Sequence, residues 1–115
     1  MKTFYMKLDN GPFKKIKNKS KTIELRLNDE KRRQIAVGDV VVFSNAIQPT
    51  DTVTCVVSNL YRFDSFEQLY QALPLTKCGY DASNVRNAKP CDMEKYYDVA
   101  QQHKYGVVGI ELILQ

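Results

Sequence analysis

The stretch Lys21–Val42, KTIELRLNDEKRRQIAVGDVVV, decides how the chain is read. Its first half alternates, with Ile23, Leu25 and Leu27 on one side of an extended segment and Thr22, Glu24 and Arg26 on the other. The pattern predicts a strand whose apolar row enters the core while Glu24 and Arg26 point away from it, toward a cleft. A slip of one residue would bury both charges. Downstream, Asn28 or Asp29 is placed to cap a helical turn with Asp29 and Glu30 at its positive end and Arg32 and Arg33 nearer its negative end. Gly38-Asp39 then turns the chain into Val40–Phe43, a β-branched strand.

Taken alone, Glu24 and Arg26 read as a surface ion pair. Their neighbours are unusual: Lys14, Lys15, Lys17, Lys19 and Lys21 lie upstream, and Lys31, Arg32 and Arg33 downstream. Residues 1–40 hold 11 Lys/Arg against 5 Asp/Glu, a net +6, whereas residues 41–115 hold 6 against 8, a net −2. Such concentration points to a polyanionic partner, since phosphate binding scales with the cations that reach it. A solubilising lysine surface explains the charge equally well.

With 115 residues, 43% of them hydrophobic, the chain is expected to form a single domain, 1–115. No stretch approaches a membrane span of roughly 20 apolar residues, and MKTFYMKLDNG puts charges where a signal peptide needs its apolar run. A cytoplasmic protein that meets no membrane is expected. The three cysteines, Cys55, Cys78 and Cys91, have no CxxC or CxH spacing, so free thiols are expected, with Cys55 in the core and no metal or cofactor.

In order, Thr3–Leu8 reads as a strand and Pro12 suits the start of a short helix with Phe13 and Ile16 on its buried edge. Thr52–Phe63 reads as a long strand with Val53, Cys55, Val57, Tyr61 and Phe63 on one parity. Asp64-Ser65-Phe66-Glu67 opens an amphipathic helix carrying Phe66, Leu69, Tyr70 and Leu73. Residues 74–91 are irregular, with one helical turn near Ala82–Val85, and loops of that length often shape binding sites. Asp92 is expected to cap a helix whose Met93, Tyr96, Tyr97 and Ala100 form a core stripe. His103 falls at that helix's end, where the carbonyls favour a cation. Gly106 stops the helix and Val107–Leu114 supplies a last strand. The expectation is an α+β fold, a small barrel or strongly curled sheet of five to six strands with flanking helices.

Lys21-Thr-Ile-Glu24-Leu-Arg26 resembles the K-x-x-E-x-R core of the ASCH domain family, whose fold is related to the PUA RNA-binding domains. Asp29-Glu-Lys-Arg-Arg-Gln-Ile-x-x-Gly-Asp and Lys104-Tyr-Gly-Val-Val-Gly-Ile-Glu are similar to small single-domain bacterial and archaeal members. One departure is visible: the family motif usually has glycine two residues before the lysine, and this chain has Lys19 there. The resemblance implies a PUA-like curled β-barrel with a basic cleft lined by the motif, binding RNA or nucleotides. It also implies hydrolysis as an alternative, because one bacterial branch deacetylates acetylcytidine and ribonuclease activity is attributed to other members. The amidohydrolase branch shares the lysine at Lys21 but has a threonine in place of Glu24.

Three classes follow. An RNA or nucleotide module would take phosphate on Lys17, Lys19, Lys21, Arg26, Arg32 and Arg33, with Glu24 accepting hydrogen bonds from a base or sugar. A small hydrolase would use Glu24 as general base and Lys21 as electrostatic stabiliser, although no Ser/His or Cys/His set accompanies them. A protein-interaction module would turn the basic face toward an acidic partner. Oligomeric state is left open by all three.

Overall fold

The computed structural model describes all of Met1–Gln115. Five strands, β1 (Thr3–Leu8), β2 (Ile23–Leu27), β3 (Val40–Asn45), β4 (Thr52–Phe63) and β5 (Val107–Leu114), form one sheet in the order β1-β3-β4-β5-β2. β1 runs parallel to β3 and every other pairing is antiparallel. The sheet curls into a half-barrel, and four helices flank it: α1 (Asn10–Lys17), α2 (Glu30–Arg33), α3 (Phe66–Ala72) and α4 (Val99–Tyr105). None is long and apolar enough to cross a membrane.

Inside the curl, Phe4, Met6, Val41, Phe43, Val53, Cys55, Val57, Val108, Ile110 and Leu112 form the main core, closed at one side by Phe13 and Ile16 of α1. Pro12 occupies the third position of α1 rather than the first, still within the turn whose N–H groups lack helical partners. The turn before β3 is built on Asp39, which accepts from the backbone N–H groups of Lys2 and Ala36, both at 2.9 Å. Gly38 at φ 93° supplies the left-handed residue that turn requires.

The period-two reading of β2 is right about alternation and wrong about direction. Glu24 pairs with Ile110 and Arg26 with Val108, so the polar row shares the face of the main core. Ile23, Leu25 and Leu27 face the other way, into a second core with Phe66, Leu69, Tyr70 and Val107. β2 is an edge strand: its apolar side needs α3 as cover, and its polar side stands at the opening where the barrel does not close. Both rows are therefore covered, and Glu24 is no surface residue at 3% exposure.

Parity along β4 also changes. A bulge between Val57 and Asn59 puts Leu60 against the main core, while Phe63 packs into the second and the Tyr61 hydroxyl donates to Glu111 at 2.9 Å. One inserted residue exchanges the faces of everything after it. In the last third, the expected continuous helix from Asp92 is two pieces, a 3-10 segment at Pro90–Lys95 and then α4. The break lies at Asp98, whose carboxylate accepts from Gln101 N at 2.7 Å while Gln101 Oε1 accepts from Asp98 N at 3.1 Å, a capping box that restarts the helix. Tyr96 is left 48% exposed instead of joining a core stripe.

Lys19 is the sole non-glycine residue at positive φ, 69°. It stands where the resemblance expects glycine, and the backbone conformation supplies the reason. Lys19→Gly is accordingly expected to raise stability by about 0.5–1 kcal/mol. A higher urea midpoint at unchanged m is the supporting result, and an equal or lower midpoint contradicts it.

Candidate nucleotide-binding cleft

β1 and β2 are the two sheet edges, and side chains join them. Arg26 reaches from β2 to donate from Nη2 to the Lys7 carbonyl at 2.7 Å, and Lys31 Nζ donates to the Tyr5 carbonyl at 2.5 Å. Lys2 O and Leu8 O bond toward β3 and the segment that follows it, so the odd-numbered carbonyls of β1 face the free edge and take these cations. Arg26 Nε donates to Glu24 Oε2 at 2.7 Å, and Lys21 Nζ lies 2.7 Å from Glu24 Oε1. One carboxylate therefore ties together a strand residue, the residue two positions before that strand and, through Arg26, the opposite sheet edge.

Burial alone would raise the Glu24 pKa, but the charges and hydrogen bonds of Lys21 and Arg26 outweigh it and hold the carboxyl below its ordinary value. Arg26 is pulled down by burial and then raised by Glu24, with the second effect winning. Glu24 and Arg26 are thus both charged at neutral pH.

This network forms one side of a cleft of about 650 Å³. The other contributions come from residues 78–97, principally Gly79, Tyr80, Asp92, Met93, Tyr96 and Tyr97, and from α1 through Lys15. Lys15 Nζ donates to the Gly79 carbonyl at 2.7 Å and Thr22 N to the Lys77 carbonyl at 2.9 Å, pinning the irregular segment to the motif. Gly79 has φ 112°, a backbone conformation that disfavours a side chain, and the Lys21 stem packs beside it. The irregular segment holds three short 3-10 turns, at Leu75–Lys77, Val85–Asn87 and Pro90–Lys95.

Of the residues singled out from sequence, Lys21, Glu24 and Arg26 meet at the cleft. Lys17, Lys19, Arg32 and Arg33 do not line it. Lys17 faces Asp51 at 3.2 Å, Arg32 is tied to Asp29 at 3.0 Å, and Arg33 donates to the carbonyls of Asn28 and Tyr105. The cleft holds Lys15, Lys21, Arg26 and Lys95 against Asp9, Glu24 and Asp92, so four cations meet three carboxylates and the basic excess is one. Sequence reading missed Tyr80, Tyr96, Asp92 and Lys95. Four tyrosines between 70 and 97 were the available signal, hidden because two fall at helical spacing with Met93. Cys78 and Cys91 also border the cleft; both are free thiols, as is the buried Cys55, and burial pushes Cys78 and Cys55 up to about 11.

The ASCH domain model matches residues 6–114. The chain belongs to the ASCH domain family. Two solved structures are similar over nearly their whole lengths. Hypothetical protein PH0355 is 27% identical with a TM-score of 0.78, over 98% of this chain and 99% of that one. Protein PF0455 from Pyrococcus furiosus is 29% identical with a TM-score of 0.70, over 97% and 96%. No curated protein matches significantly.

Glu24→Gln leaves two buried cations without their counter-charge, and a loss of about 3 kcal/mol at neutral pH is expected. Because the folded pKa of Glu24 lies below its ordinary 4.5, the carboxylate's contribution is complete above that value and is lost as pH falls through the folded pKa. The stability gap between wild type and variant should therefore close on acidification. A gap that stays constant from pH 7 to pH 2 in urea titrations would contradict this assignment.

Proposed function

We propose that this ASCH domain binds RNA through one nucleotide unit held in the cleft. The observation that carries the reading is the exposed ring of Tyr96 beside the charged Lys21–Glu24–Arg26 network in a cavity of nucleotide size. An aromatic face stacks on any base, and cations beside it take phosphate. Lys21 has ammonium hydrogens beyond the one aimed at Glu24, and Lys15 and Lys95 add charge along the same cleft. Lys17, Lys19, Arg32 and Arg33, outside the cleft, are assigned to flanking phosphates of a longer strand.

Glu24 suits recognition better than hydrolysis. Each of its oxygens already faces a cation, and a carboxylate held ionised accepts a proton poorly. A carboxylate is also a weak nucleophile toward an amide, in contrast to the threonine of the amidohydrolase branch. Its role is to set Lys21 and Arg26 in position.

Nucleoside monophosphates and a short single-stranded RNA, titrated calorimetrically, test this reading. Tyr96→Ala should weaken both by on the order of tenfold. Lys17→Ala with Lys19→Ala should flatten the salt slope for the RNA by about 2 while leaving monophosphate affinity unchanged. Absence of binding by every nucleotide and the RNA would refute the reading. Loss of a robust acetylcytidine or RNA hydrolysis by more than about a hundredfold in Glu24→Gln, with affinity intact, would establish the hydrolase instead.

A further inference from the structure

The part of the cleft made by α3 and residues 80–92 carries a hydrogen-bond chain whose direction is fixed. Tyr80 donates its hydroxyl hydrogen to Asp92 Oδ2 at 2.7 Å, and the Tyr70 and Tyr80 hydroxyl oxygens are 2.8 Å apart. Tyr80 has one hydroxyl hydrogen and has given it to the carboxylate, so Tyr70 must donate to Tyr80. Asp92 Oδ2 also accepts from Lys89 N at 3.1 Å, while Oδ1 accepts nothing from the protein. Every hydrogen in the chain is spent internally. What remains available is acceptors alone: Asp92 Oδ1 and lone pairs on the two phenolic oxygens, on three residues that all line the cleft.

We propose that the Tyr70–Tyr80–Asp92 chain selects bases bearing an exocyclic amino group over their oxo counterparts, within the nucleotide site proposed above and dependent on it. An amino group brings hydrogens to these acceptors. An oxo group in the same place brings lone pairs against a carboxylate and two phenols, and no side chain in the chain has a hydrogen left to meet it. A site built to accept hydrogen bonds rejects the analogue that lacks the donor far more strongly than a site that merely fits shape. The hydrogen bond from Tyr80 and then that from Lys89 N keep Asp92 below its ordinary pKa, so the carboxylate stays an acceptor at neutral pH. Burial, followed by the bonds to Tyr70 and Asp92, pushes the Tyr80 phenol far up, so it keeps its hydrogen. Glu24 competes little for this role, since each of its oxygens already faces a cation and its side chain is only 4% exposed.

The test compares pairs in which an oxo group replaces the amino group and the adjacent ring nitrogen gains a hydrogen: cytidine against uridine 5′-monophosphate and adenosine against inosine 5′-monophosphate, titrated calorimetrically into the full chain. The amino member of each pair should bind at least tenfold tighter. Asp92→Asn, whose amide can turn a donor toward the ligand, should bring both ratios below about threefold while keeping affinity for the oxo members. Tyr80→Phe releases the Tyr70 hydrogen and should likewise improve binding of the oxo members, which gives a second route if Asp92→Asn is unfolded by circular dichroism. Ratios near one in both pairs for wild type would overturn the proposal and leave the nucleotide site standing. Ratios unchanged in a folded Asp92→Asn or Tyr80→Phe would overturn it too, and no binding by any of the four would remove both.

Discussion

A five-stranded curled sheet with β1 and β2 at its margins has two rows of backbone groups without ladder partners, and at this size it cannot bring them into register with each other. Arg26 resolves the problem with one side chain, passing from β2 across the opening to the Lys7 carbonyl. Lys31 covers the next free carbonyl on that edge, at Tyr5. Charged side chains on an edge also discourage pairing with a second chain. The opening is thus closed by ions, and a closure made of ions is polar and accessible where a backbone ladder would be sealed.

Closing a barrel this way sets a requirement on charge. Arg26 is nearly buried, with 13% of its side chain exposed, and a buried guanidinium needs an anion at hand. Glu24 is that anion, and being more deeply buried still, it needs Lys21 as well. The spacing of the motif follows from strand geometry: residues 24 and 26 share a face, and residue 21 lies just before β2, where its long stem can fold back along Gly79. The three residues that hold the opening closed therefore also border the cleft.

Strand limits were legible wherever they rest on local alternation. β1, β4 and β5 have the bounds that their patterns predict, and Asp29 caps α2 as its position implies. The facing of β2 was not legible, because both of its rows are covered and only the cross-strand partners Ile110 and Val108 reveal which row lies inside the curl. The bulge after Val57 was hidden for a related reason: a valine, a serine and an asparagine in succession continue a plausible strand whichever face each takes. At the cleft, K-x-x-E-x-R marked three residues that line it, because charge at strand spacing is a sequence-level feature. Its tyrosine side was invisible, since Lys15 to Gly79, Thr22 to Lys77 and Tyr80 to Asp92 are contacts across sequence that no periodicity encodes.

These two sides of the cleft differ in what substitution does to them. Lys21, Glu24 and Arg26 form a buried network whose members depend on one another, so replacing any one endangers the fold before it alters recognition. Residues 80–97 include two short 3-10 turns; Tyr80, Met93 and Tyr97 pack on the second core, whereas Tyr96 is exposed and can change at small structural cost. Phosphate and ribose are common to all nucleotides, and a rigid ion network suits such invariant parts. Bases differ in the arrangement of a few donors and acceptors, and an exposed segment is where those differences can be matched. On the proposed reading, affinity for the class of ligand would rest on β2 and choice within that class on the chain between α3 and α4.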